Sequence, residues 1–135
     1  MNQIANRLIL TTAFAFVATN AVAQTPEFLC KTSKHTIIID QPTKAGSFRY
    51  RSWNLPKGTD AKPDMELVSA SIETIGAGSK CPQHYYKFKT GDAEFEVTDQ
   101  WLCPNGTPPE SARNATGDLY VRIKGQLKSH YYCIR

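Results

Sequence analysis

Tyr85-Tyr86-Lys87-Phe88-Lys89-Thr90-Gly91-Asp92-Ala93-Glu94-Phe95-Glu96-Val97 is the stretch that decides the fold. Folding it about Gly91-Asp92 sets Lys89 against Glu94 and Lys87 against Glu96 on one face. The other face then pairs Phe88 with Phe95 and Tyr86 with Val97. Opposite charges meet across one side and apolar groups across the other, which is the pairing that stabilises an antiparallel sheet. A slip of one residue would destroy both sets together. Glycine at the start of a two-residue loop supplies the positive φ that tight hairpins need.

Two-residue alternation recurs outward from this hairpin, and no sustained helical period appears. Strands are expected at 27–31, 34–40, 47–53 and 65–75, then at 118–123 and 127–134 beyond the hairpin. Phe48 and Tyr50 share one face of the third, with Arg49 and Arg51 on the other. Residues 41–46, 54–63 and 76–80 carry the proline and glycine of turns. The proline-rich stretch 104–116 has room for one helical turn at 109–113. At the last turn, a three-residue loop Lys124-Gly125-Gln126 aligns Ile123 with Leu127, Val121 with Ser129 and Leu119 with Tyr131. A two-residue loop would instead oppose Val121 to Lys128. Eight short strands joined by turns predict an all-β antiparallel meander curled into a small barrel, with a two-sheet sandwich as the alternative.

The chain has 135 residues, 16 basic and 12 acidic side chains and a formal charge of +4. That is one ordinary domain, too apolar for a disordered tail and too mildly charged to call for nucleic acid. Residues 1–23 read as a secretory signal. Arg7 precedes a short apolar run, Leu8 to Val17, and Ala21-Val22-Ala23 supplies small residues for cleavage after Ala23. About 20 apolar residues are needed to span a bilayer, and this run is shorter. Removal of the signal takes away one base and leaves a single domain at 24–135, exported to the periplasm or beyond, with no stable membrane insertion.

Four cysteines in an exported chain favour disulfides over metal, and none of the histidines stands at zinc-finger spacing from them. Four cysteines allow three pairings. Cys81 and Cys103 flank the hairpin almost symmetrically. Cys30 and Cys133 fall in the first and last strands, which become neighbours when a meander curls round. The expected bonds are therefore Cys30–Cys133 and Cys81–Cys103.

No nucleophile elbow, phosphate loop, zinc-protease helix or calcium loop is present, so no catalytic residue, metal site or cofactor is expected. Glu94 and Glu96 are committed to lysines, and His35, His84 and His130 read as surface or rim residues. Basic and aromatic side chains interleave on the outward faces, as in single-strand nucleic-acid binders. Glutamates interrupt those faces, and lysines and arginines also protect sheet surfaces. Tyr85, Tyr120 and Tyr132 are the candidate anchors for a protein partner, since tyrosine is enriched at interfaces. The loop Gly76-Ala77-Gly78-Ser79-Lys80-Cys81 is tied down at one end and exposes a hydroxyl and a cation, a form suited to an acidic cleft.

With Phe28-Leu29-Cys30 near its mature start and a cysteine in its last strand, the exported chain resembles in outline the small periplasmic lysozyme inhibitors of Gram-negative bacteria. That resemblance implies a non-enzymatic protein that places a serine and a lysine, here Ser79 and Lys80, against the catalytic carboxylates of a hydrolase. The family's Ser-Gly-x-x-Tyr motif is replaced here by Gly78-Ser79-Lys80-Cys81-Pro82. An immunity protein against a secreted toxin and a small cell-wall hydrolase are the alternatives.

Overall fold

The computed structural model describes residues 27–42, 47–69, 72–104 and 106–134. The expected signal segment, the expected cleavage site after Ala23 and part of the expected 41–46 turn lie outside them. Nine strands follow in order: β1 (Phe28–Lys31), β2 (His35–Asp40), β3 (Phe48–Asn54), β4 (Met65–Ser69), β5 (Ile72–Ile75), β6 (Gln83–Thr90), β7 (Ala93–Thr98), β8 (Ala115–Ile123) and β9 (Gln126–Ile134). A single 3-10 turn, Glu110–Ala112, occupies the expected helical stretch before β8.

The strands form one antiparallel sheet in the order β4-β3-β2-β1-β9-β8-β7-β6-β5. The first and last strands meet in its middle, where Lys31 pairs with Ile134. This corrects two expectations. Among the described residues the strands number nine, and the hydrogen-bonded ladder does not close into a barrel or divide into two sheets. The reason lies in the stretch read as one strand at 65–75. Met65 and Leu67 face inward on β4, at odd positions, whereas Ile72 faces inward on β5, at an even one. Because the side-chain period is two, that change of phase ends one strand and begins another. β4 pairs with β3 and β5 with β6, so the two halves become the opposite edges of the sheet.

The sheet folds over so that its inner faces meet. Phe48 on β3 packs edge-on against Tyr86 on β6, with ring centroids 5.4 Å apart. Tyr50 lies 5.4 Å from Phe88 and 5.5 Å from Phe95. Phe28, Ile37, Ile39, Val97 and Leu119 complete the core. Burial pushes the Tyr50 hydroxyl up to about 12.

The central hairpin has the register expected of it: Lys89 pairs with Glu94, Phe88 with Phe95, Lys87 with Glu96 and Tyr86 with Val97. Gly91 has φ 56° and Asp92 does not have positive φ, the sign pattern of a type II′ turn. The last turn differs from expectation. Lys124 and Gly125 have φ of 50° and 77°, a two-residue type I′ pattern that pairs Ile123 with Gln126 and Arg122 with Leu127. A register shift between Val121 and Arg122 then skips Lys128 and restores Val121 opposite Ser129 and Leu119 opposite Tyr131. The bulge keeps the tight turn and still holds lysine off the apolar face.

Both expected disulfides are present, Cys30–Cys133 and Cys81–Cys103. The first ties β1 to β9 at the middle of the sheet, inside the core. The second ties the β5–β6 loop to the segment that leaves β7.

Candidate interaction face

The outer face of β6–β9 carries charge at one end and aromatic rings at the other. At the charged end, Lys89 lies 3.2 Å from Glu94 and Lys87 lies 3.6 Å from Glu96. Lys87 also reaches Glu73 on β5 at 3.0 Å, and that hydrogen bond chiefly holds the ammonium above its ordinary value. Arg122 lies 3.6 Å from both Glu94 and Glu96 and sits 5.5 Å from the Tyr120 ring. The positive side chains here are matched by glutamates. Exposed pairs of this kind are each worth less than about 1 kcal/mol.

At the aromatic end, cross-strand pairing sets Tyr120 opposite His130 and Asp118 opposite Tyr132. Tyr120 and His130 stack with centroids 4.6 Å apart and planes 7° apart. Tyr132 meets His130 edge-on at 4.8 Å. The three rings form a continuous ridge. Burial, then the neighbouring Asp118 charge, raises the Tyr120 hydroxyl above its usual range despite a hydrogen bond to Gln100.

Asp118 anchors the ridge. Its side chain is only 1% exposed, and its carboxylate accepts from three donors. His130 Nε2 lies 2.6 Å from Oδ1, Trp101 Nε1 donates to Oδ2 at 2.7 Å, and Gln100 Nε2 donates to the same oxygen. A buried carboxylate is tolerated when its lone pairs are filled in this way. Since Nε2–H of His130 is spent on Asp118, Nδ1 is the ring nitrogen left for a partner. The segment carrying Gln100 and Trp101 is held down by Trp101 N–H on the Thr116 carbonyl at 3.1 Å. Gly117 allows the neighbouring strands to approach: a Cβ there would collide with the Thr98 carbonyl oxygen.

Ser79 and Lys80 sit on the β5–β6 loop, both exposed. Ser79 N–H donates to the Gly76 carbonyl at 2.9 Å, and its hydroxyl accepts from Cys81 N–H at 3.3 Å. The serine thus shapes its own loop. With Cys81, Gln83, Cys103, Pro104 and Gly106 these residues line a groove of about 340 Å³ beside the Cys81–Cys103 bond. Tyr85 lies on the same outward side of β6, paired with Glu73 and Thr98.

The structure thus brings Tyr120 and Tyr132 together through His130. It places Tyr85 two strands away from Asp118 in the same row, on the far side of Thr98. Ser79 and Lys80 belong to a separate, disulfide-fixed feature. His130 is exposed on the outward face of β9, where the sequence reading puts it, and it is further oriented by a buried acid. His84 is oriented likewise: its Nδ1 lies 2.7 Å from Asp99 Oδ2, while His35 Nδ1 donates to Asn54 Oδ1 at 2.9 Å. Asp118, Gln100 and Trp101 were missed in the sequence. The signal was the Asp118-x-Tyr120 and His130-x-Tyr132 spacing, which the expected Leu119–Tyr131 register already sets side by side.

Among the described residues, no three His, Cys, Asp or Glu side chains converge as a metal site, and no helix is long and apolar enough to cross a membrane. No protein-family model, curated protein or solved structure matches the chain.

Proposed function

We infer that this chain is an exported, non-enzymatic binding protein that neutralises another protein, a lysozyme or similar envelope-acting hydrolase. The observation that carries the reading is the Tyr120–His130–Tyr132 ridge fixed on buried Asp118. Rings held in place before binding lose little entropy on contact, and aromatic residues dominate interface energetics. Lys80 is a second contact, presented on a loop whose shape is set by Ser79 and the Cys81–Cys103 bond. A cation so displayed suits the acidic cleft of a glycoside hydrolase, in which two carboxylates flank the scissile bond.

Two disulfides fit an oxidising compartment, and the signal-like segment before Gln24 fits export to the periplasm. The charge pairing on β6–β8 disfavours nucleic acid, because the lysines there already face glutamates. An immunity protein that blocks a secreted toxin would use the same ridge.

A second reading, a small cell-wall hydrolase, draws on one specific observation. Asp118 orients His130 as a general base is oriented by a carboxylate. Assay of the purified mature chain separates the two. The binding reading expects inhibition of a muramidase at nanomolar to micromolar protein and no turnover of peptidoglycan. Turnover abolished by His130→Ala would favour the hydrolase instead. Failure of Ser79→Ala and Lys80→Ala to change inhibition would remove the loop from the interface.

A further inference from the structure

The inner face of the folded sheet is not sealed. Met65, Phe95 and Val121 point into the core yet remain partly exposed. They border a cavity of about 160 Å³, lined also by Tyr50, Ser52, Leu119, His35, Asn54 and Asp64. The lining is graded. Tyr50, Ser52 and Leu119 lie buried at its depth, while Asn54 and Asp64 are exposed at its mouth and His35 is half-buried beside them.

The mouth is a connected polar rim. His35 Nδ1 donates to Asn54 Oδ1 at 2.9 Å, and Asn54 N–H donates to Asp64 Oδ2 at 2.8 Å. Lys57 Nζ donates to Asp64 Oδ1 at 2.8 Å, which matches the carboxylate's charge. The His35 ring is fixed edge-on to Tyr131 at 5.9 Å. With Nδ1–H spent on Asn54, Nε2 is an acceptor in the neutral ring, and the Asp64 carboxylate is a second one. The rim therefore asks for a hydrogen-bond donor without a charge. The depth asks for a small apolar body, since Tyr50, Phe95 and Leu119 line it and the two rings pack against each other at 5.5 Å. An apolar cavity of about 150 Å³ is large enough to hold one benzene ring.

We propose that this cavity is a binding site for a neutral, single-ring aromatic molecule bearing a hydroxyl group. The ring enters between Phe95, Val121 and Met65, and the hydroxyl stays at the His35–Asp64 rim. The site lies on the inner face of the sheet, so it is separate from the outward ridge of Tyr120, His130 and Tyr132.

Methyl-resolved NMR of the disulfide-intact mature chain, titrated with phenol, toluene and 2-naphthol, tests this. Phenol is expected to shift the Met65, Leu119 and Val121 methyls saturably, with a dissociation constant of about 1 mM, within reach of a seven-atom ligand. Toluene, which lacks the donor, is expected to bind several-fold more weakly. The two-ring 2-naphthol should leave these methyls unmoved. Val121→Phe, which fills the space, should abolish the phenol shifts. Asp64→Asn, at the exposed rim and harmless to the core, should shrink the preference for phenol over toluene. A linear, unsaturated response, or equal shifts at the exposed Val68, Leu127 and Ile134 methyls, would mean that the cavity holds only water and would overturn the proposal. So would binding that survives Val121→Phe in a folded variant.

Discussion

Asp118 and His130 stand diagonally across the β8–β9 hairpin, two residues apart in register, yet the aspartate is buried and the histidine is solvent-facing, 2.6 Å from it. A carboxylate sealed under Trp101 and Gln100 thereby fixes a ring at the surface. The arrangement couples the stability of this end of the sheet to the shape of its outer ridge.

Asp118→Ala is expected to destabilise the fold by about 3 kcal/mol, because it strands the Trp101 indole N–H and the Gln100 amide without their acceptor. His130→Ala removes only one of the three donors from a partly exposed position and should cost about 1 kcal/mol. Urea denaturation of the two variants gives the comparison. Equal costs would show that the indole and amide bonds contribute nothing.

Asp40 predicts the acid limb of stability. It is buried on β2, which alone would raise its carboxyl. Hydrogen bonds and charge from Arg49, at 2.9 and 2.7 Å, and Arg51, at 2.7 Å, outweigh burial and lower it. A carboxyl with a lowered folded-state value contributes stability that is complete above its unfolded value of about 3.9 and is lost as pH falls through the lower one. Thermal midpoints should therefore drop below about pH 4, and Asp40→Asn should flatten that drop. An Asp40→Asn variant with an unchanged slope would assign acid sensitivity elsewhere.

The two disulfides should contribute unequally. Cys30–Cys133 closes a separation of 103 residues and Cys81–Cys103 one of 22. In the chain-entropy account a loop of about 100 residues is stabilised by about 4.7 kcal/mol and one of about 15 by about 3. Double cysteine-to-alanine variants, unfolded in guanidinium, should rank in that order. Removing Cys81–Cys103 should also loosen the Ser79–Lys80 loop, visible as faster amide exchange at Lys80.

Much of the fold was legible from residue pattern because its signals are local and redundant. The Gly91-Asp92 hairpin states its register twice, once in charge and once in apolar pairing, and no alternative satisfies both. The cysteine pairs followed from where the strands would lie. The strand 65–75 was misread because Val68 and Ile75, both exposed, mimic inward positions, and the phase change between Ser69 and Ile72 rests on few residues. Whether the sheet closes depends on how its edges meet, a non-local matter. At the last turn, the opposition of Val121 and Lys128 argued correctly against an uninterrupted two-residue register, but the chain escaped it through a bulge. Tyr120 and Tyr132 were visible as outward aromatics. Asp118 was not, because its burial comes from a segment, Gln100-Trp101, whose path no strand pattern encodes.

The central claim is that the ridge and the Ser79–Lys80 loop bind and block an envelope-acting hydrolase. Residual muramidase activity on cell-wall substrate, measured against increasing mature protein, tests it most directly. The account predicts loss of activity at nanomolar to micromolar protein, weakened at least tenfold by Tyr120→Ala with Tyr132→Ala and by Lys80→Ala, in variants that remain folded. Full activity across a panel of peptidoglycan hydrolases at the highest protein concentration, or inhibition untouched by these substitutions, would contradict it.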